Sequence, residues 1–70
     1  MTRDELNLLE KYLRKTFVND TIEIKQRPKK KDSAEVYVAD EFVGVLYRDD
    51  EDDEVSYQFQ MAILEGDLTS

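Results

Sequence analysis

The 70-residue chain has no cysteine, no histidine and no tryptophan, and only two glycines and one proline. Each gap closes a route. Without cysteine there is no disulfide, no thiolate zinc site and no thiol redox chemistry. Without histidine there is no imidazole base and no imidazole metal ligand. Gly44 and Gly66 stand too far apart to build a phosphate-cradling loop, which needs clustered glycines. Long apolar runs are missing too. The longest, Phe42-Val43-Gly44-Val45-Leu46-Tyr47, is far short of the roughly 20 residues of a membrane-crossing helix. The opening Met-Thr-Arg-Asp-Glu lacks the apolar stretch of a signal peptide, so a cytoplasmic location is expected.

A chain of this length makes one domain, here residues 1–70, and buries only about 60% of its unfolded surface. At this size apolar burial and chain entropy nearly cancel. With no covalent or metal staple, stability must come from a well-packed core or from a core shared with a partner. Net charge is −7, unevenly spread. Residues 1–31 carry nine basic and five acidic side chains, while residues 32–70 carry Arg48 alone against twelve carboxylates. A chain acidic overall repels nucleic acid and anionic membranes, except where a local basic patch acts at short range.

Periodicity predicts the elements. Thr2 and Glu5 fit a capping box, and Leu6, Leu9, Leu13 and Phe17 recur at helical spacing, so a helix is expected over about 3–17. Asn19-Asp20 then ends it. Alternation and β-branched content predict strands over about 22–27, 35–39, 42–47 and 55–62, with a frayed tail at 66–70. Short connections favour antiparallel neighbours. The expected fold is α+β: an N-terminal helix packed on a four-stranded antiparallel meander, in the order α-β-β-β-β. A two-residue loop, Ala39-Asp40 or Asp40-Glu41, is preferred over three residues in the middle hairpin. It groups Val36 and Val38 with Val43 and Val45, and Tyr37 with Phe42 and Leu46.

The stretch Glu35-Val-Tyr-Val-Ala-Asp-Glu-Phe-Val-Gly-Val-Leu, followed by Phe59-Gln-Met-Ala-Ile-Leu, resembles a family of short acidic bacterial proteins classed as a domain of unknown function. The resemblance spans nearly the whole chain, including Arg27-Pro28-Lys29-Lys30. It implies a bacterial, cytoplasmic, compact domain and transfers no site residues.

Two charge clusters stand out. Asp49-Asp-Glu-Asp-Asp-Glu54 is six consecutive carboxylates. Asp49, Glu51 and Asp53 match the first three ligand positions of a helix-flanked calcium loop, but Glu54 stands where glycine is needed and Gln60 where glutamate is needed. No metal site is expected there; a solvated loop that keeps an apolar sheet in solution is. Lys25, Arg27, Lys29, Lys30 and Lys31 place five cations within seven residues. Such clusters replace counterions on phosphate, but no aromatic residue is interleaved for base stacking. A guarded edge, or an acidic protein partner, is the plainer reading.

No catalytic residue and no cofactor is assigned. Serine or threonine would need a base, and the adjacent carboxylates lack apolar walls to raise a pKa. No small-molecule ligand is identifiable. The expected function is a non-catalytic protein-interaction or self-associating module. The alternative is a small nucleic-acid-binding domain using the basic turn 25–31. The strand over Val55–Met61 would be a sheet edge without charge or proline, so Ser56, Gln58 and Gln60 mark the candidate interface with a protein partner or a second copy in a homodimer.

Overall fold

The computed structural model describes residues 1–51 and 53–69. Helix α1 runs Arg3–Phe17, and it starts where the capping pattern predicts. The Glu5 amide donates to Thr2 Oγ1 and the Thr2 amide donates to Glu5 Oε1, each at 3.1 Å, so two otherwise orphaned donors are satisfied reciprocally. Asp4 and Glu5 lie at the positive end of the helix dipole, Arg14 and Lys15 at the negative end. The helix stops at Val18, which adopts a left-handed φ of 50°. This lets the Asn19 amide reach back to the Arg14 carbonyl at 2.9 Å. Asn19 then holds Thr21 through its side-chain oxygen and turns the chain into the sheet.

Four strands follow: β1 (Ile22–Gln26), β2 (Ser33–Val38), β3 (Glu41–Asp49) and β4 (Ser56–Met61). They form one antiparallel sheet in the order β1-β2-β3-β4, the α+β meander expected from the sequence. The structure adds a short helix, α2 (Glu65–Thr69), over most of the segment expected to fray, and none of its residues is buried. Ile22 and Ile24 of β1, Ala34 and Val36 of β2 and Leu46 of β3 form the core under Leu13 of α1. Leu6, Leu9, Val43 and Phe59 are half-buried against it.

The expected faces of the middle hairpin need one correction. The loop is the two-residue Ala39-Asp40, with left-handed φ at both positions, and Tyr37 lies opposite Phe42. The next pair is Val36 with Gly44, so Val43 is an extra residue on β3. One inserted residue inverts the parity of everything beyond it. Leu46 therefore joins Val36 on the helix side, and Val45 joins Tyr37 and Phe42 on the outer face. On that face the Tyr37 and Phe42 rings meet edge to face at 5.8 Å.

Gly44, the residue after the bulge, faces β4 with no room for a side chain. A Cβ at this position would lie 2.3 Å from the Gln60 carbonyl oxygen and 2.7 Å from the Phe59 ring. Gly44→Ala is therefore expected to cost about 1–3 kcal/mol through overpacking against backbone, read as a lower urea midpoint. At Val18 the opposite change is expected. A β-branched residue in left-handed backbone is strained, and the Val18 side chain is 90% exposed and so loses little packing. Val18→Gly should raise stability by about 1 kcal/mol in a thermal melt.

Candidate functional site

The two edges of the sheet are treated differently. At β1, α1 lies alongside and its side chains bond to the outward backbone. The Ile24 amide donates to Glu10 Oε2 at 3.0 Å, and Arg14 Nε donates to the Ile22 carbonyl at 2.8 Å. Glu10 and Arg14 pair with each other at 3.1 Å, one helical turn apart. The sequence pointed to Lys25, Arg27 and Pro28 as the guard of this edge, but two helix side chains seal it. Lys25 is engaged on the outer face, with its ammonium 4.4 Å from the Tyr37 ring centroid and 4.0 Å from the Glu23 carboxylate.

At the other edge, β4 has β3 on one side and, among the described residues, no strand on the other. The Arg48 amide donates to the Asp32 carbonyl at 2.8 Å, so Arg48 faces β2. Backbone groups alternate sides along an antiparallel strand, so Val45, Tyr47 and Asp49 face β4. Their partners are Gln60, Gln58 and Ser56. The outward-facing amides and carbonyls of the open edge therefore belong to Tyr57, Phe59 and Met61. Ser56, Gln58 and Gln60, the residues marked from the sequence, put their side chains on the outer face and their backbone into the ladder with β3.

Tyr57 also ties this edge to the helix. Its hydroxyl donates to Glu5 Oε2 at 2.6 Å. Arg48 Nε lies 3.3 Å from the same oxygen, close enough to pair but poorly aligned for a hydrogen bond, and Arg48 Nη1 reaches Asp50 at 3.5 Å. The Tyr57 bond, helped by the Thr2 amide and the Arg48 charge, holds the Glu5 carboxyl below its usual value against the opposing effect of burial. The same bond raises the Tyr57 hydroxyl.

Between α1 and β4 an apolar groove of about 550 Å³ stays open. Leu8, Tyr12 and Phe17 form its helix wall and Leu46, Tyr57 and Phe59 its floor. Leu8 and Tyr12 are about two-thirds exposed, at 68% and 64%. On the opposite face Phe42 and Tyr47 line a second, wider cleft together with Ile63, Leu64 and Leu68. β4 thus carries open backbone flanked by uncovered apolar surface on both faces.

A family model described as "Protein of unknown function (DUF3126)" matches residues 5–67. The chain belongs to this family. The match takes in the whole sheet and nearly all of α1, so both edges lie within the matched residues. No curated protein and no solved structure matches the chain.

Within this DUF3126 domain the charge clusters take separate places. Lys29, Lys30 and Lys31 are exposed in the β1–β2 turn, where the Lys30 amide bonds to the Arg27 carbonyl at 3.2 Å and the N-terminal amine donates to the Lys31 carbonyl. Arg27 is half-buried, and Lys25 is committed to Tyr37 and Glu23, so the five cations are not one surface. In the acidic loop the Glu51 amide donates to Asp49, and Asp50 pairs with Arg48; Asp52, part of the same run, lies outside the described residues. Among the described residues no group of three or more carboxylates is placed to hold a metal ion. No described helix is long and apolar enough to cross a membrane. The outward backbone at Tyr57, Phe59 and Met61 was not legible as the open set, because the parity of β4 depends on a bond between Arg48 and Asp32.

Two outcomes follow from the Glu5 contact. Tyr57→Phe should cost about 1 kcal/mol and return the Glu5 titration, followed by NMR, toward the usual 4.5. A carboxyl held low in the fold stabilises it above the unfolded pKa, and that contribution is lost as pH falls through the folded value. Acid unfolding of the wild type should therefore steepen below about pH 4.5, and Tyr57→Phe should flatten that part of the curve.

Proposed function

We propose that this domain is a non-catalytic protein-interaction module that accepts a strand from a partner protein on β4. The observation that carries this reading is the contrast between the edges. Unpaired strand edges are normally blunted by charge, proline, bulges or cover. β1 is covered by Glu10 and Arg14, whereas β4 offers the backbone of Tyr57, Phe59 and Met61 with no charged residue between Val55 and Leu64. An added strand would bond to those groups and lay alternate side chains into the groove beside Tyr12 and over the outer cleft. The residues with displaced titrations serve the fold in this reading: Glu5 and Tyr57 clamp α1 to β4, and Tyr37 donates to Glu35 at 3.0 Å.

Met61→Pro tests the proposal. It deletes an outward amide and leaves the β3–β4 ladder intact, which an edge strand tolerates. Wild-type chain immobilised in a cytoplasmic extract should retain at least one protein that the Met61→Pro chain, with an unchanged melting temperature, releases. Equal retention by both would refute strand addition. Amide exchange supplies a second check, with Tyr57, Phe59 and Met61 exchanging faster than Ile24 in the free chain and slowing in the complex.

A further inference from the structure

We infer that the strand received by β4 comes from a different protein and is an extended segment with an uncharged, alternately apolar centre and Lys or Arg at both ends. The inference rests on the reading of β4 as a strand acceptor and specifies the chemistry of the guest.

The charge around the edge carries it. β4 itself is uncharged, yet exposed carboxylates stand at both of its ends. Glu51, Asp53 and Glu54 precede Ser56. At the Met61 end, β3 runs on past Gly44, the partner of Met61, to Glu41 and the turn residue Asp40, and Glu65 follows Met61 along the chain. Six residues of strand hold the two clusters about 20 Å apart, more than twice the screening length of about 8 Å at physiological salt. Each cluster therefore selects its own counter-charge, and a guest with cations at one end alone satisfies only half of the edge.

The same charges disfavour a second copy. Two β4 strands can pair across a two-fold axis only antiparallel, which lays Asp53 and Glu54 of one chain against the Glu65 end of the other at both ends of the interface. Like charges placed opposite one another are destabilising. Head-to-tail pairing of β4 with β1 of another copy is obstructed as well, because Glu10 already takes the Ile24 amide and Arg14 the Ile22 carbonyl. The basic turn 29–31 lies beyond that sealed edge and does not supply an extended apolar centre.

The test uses the full chain and random dodecapeptides selected on it at low salt, followed by synthesis of the enriched sequences. Enriched peptides should carry Lys or Arg on both sides of an alternating centre and should shift the amides of β4. Their affinity should fall about tenfold from low to high salt, and about tenfold when Glu51→Gln, Asp53→Asn and Glu54→Gln are combined. Met61→Pro should abolish binding. Gln58→Lys, which alters only an outer-face side chain, should weaken it even if the proline variant folds poorly. Neutral or acidic peptides that shift β4 and ignore salt would overturn the charge inference while leaving strand addition in place. A mass that doubles as salt rises, and stays single in Met61→Pro, would identify a second copy as the occupant and overturn the inference in another way. Enrichment of nothing, or of peptides that shift Lys29–Lys31 alone, would overturn both readings.

Discussion

One helix has to serve four strands, and everything else in this domain follows from that mismatch. A helix is about 10 Å across, while the outer axes of four strands lie about 14 Å apart before side chains are added. A helix that cannot span the sheet must choose a side. α1 chooses β1, and there it does two jobs at once: Leu13 closes the core over Ile22, Ile24 and Val36, and Glu10 and Arg14 bond to the backbone edge. What is gained at β1 is left undone at β4, whose helix-facing side chains Tyr57 and Phe59 stay half-exposed and whose outer backbone stays open.

The Glu5 cluster is the one link that reaches back across the gap. It joins the capping box, Arg48 and Tyr57 around a single carboxylate, so the first turn of α1 is fixed to the last strand. Its charge-assisted bonds hold the groove at a set width without filling it. The two walls of the groove are tied at one end, near Glu5, while Phe17 at the other end of α1 is 57% exposed. Polar contacts here fix geometry that apolar contacts alone would close.

Much of this was legible from local signals. Thr2 and Glu5 announce the helix start, the Leu6-Leu9-Leu13 spacing gives its buried side, and alternation gives four strands in the right order, because each of these depends on neighbours in sequence. Three features depend on distant contacts and were hidden. The bulge at Val43 shows only in how β3 pairs with β2. The sealing of β1 needs Glu10 and Arg14, which read in the sequence only as a surface pair on a helix. Ser56, Gln58 and Gln60 mark a candidate interface by their polar side chains, which do not tell which residues of β4 turn their backbone outward. Hydrogen-bonding parity is set by the neighbouring strand and leaves no mark on side-chain type. The acidic residues are visible in the sequence, but that they flank one strand appears only once β3 is seen to run past Met61 toward the 39–40 turn.

The long reach of the Tyr57–Glu5 bond has a consequence for the order in which the chain assembles. α1, β1 and β2 are joined by contacts between residues close in sequence, so they can form early and at small loop-closure cost. Tyr57 and Glu5 are 52 positions apart. Their bond closes a loop of most of the chain, and the entropy of closing it is smaller once the first three strands are in place. Loop closure thus favours docking β4 after the other three strands. A strand in that position can loosen while the α1–β1–β2 core persists, so the edge that meets a guest can adjust to it without unfolding the domain.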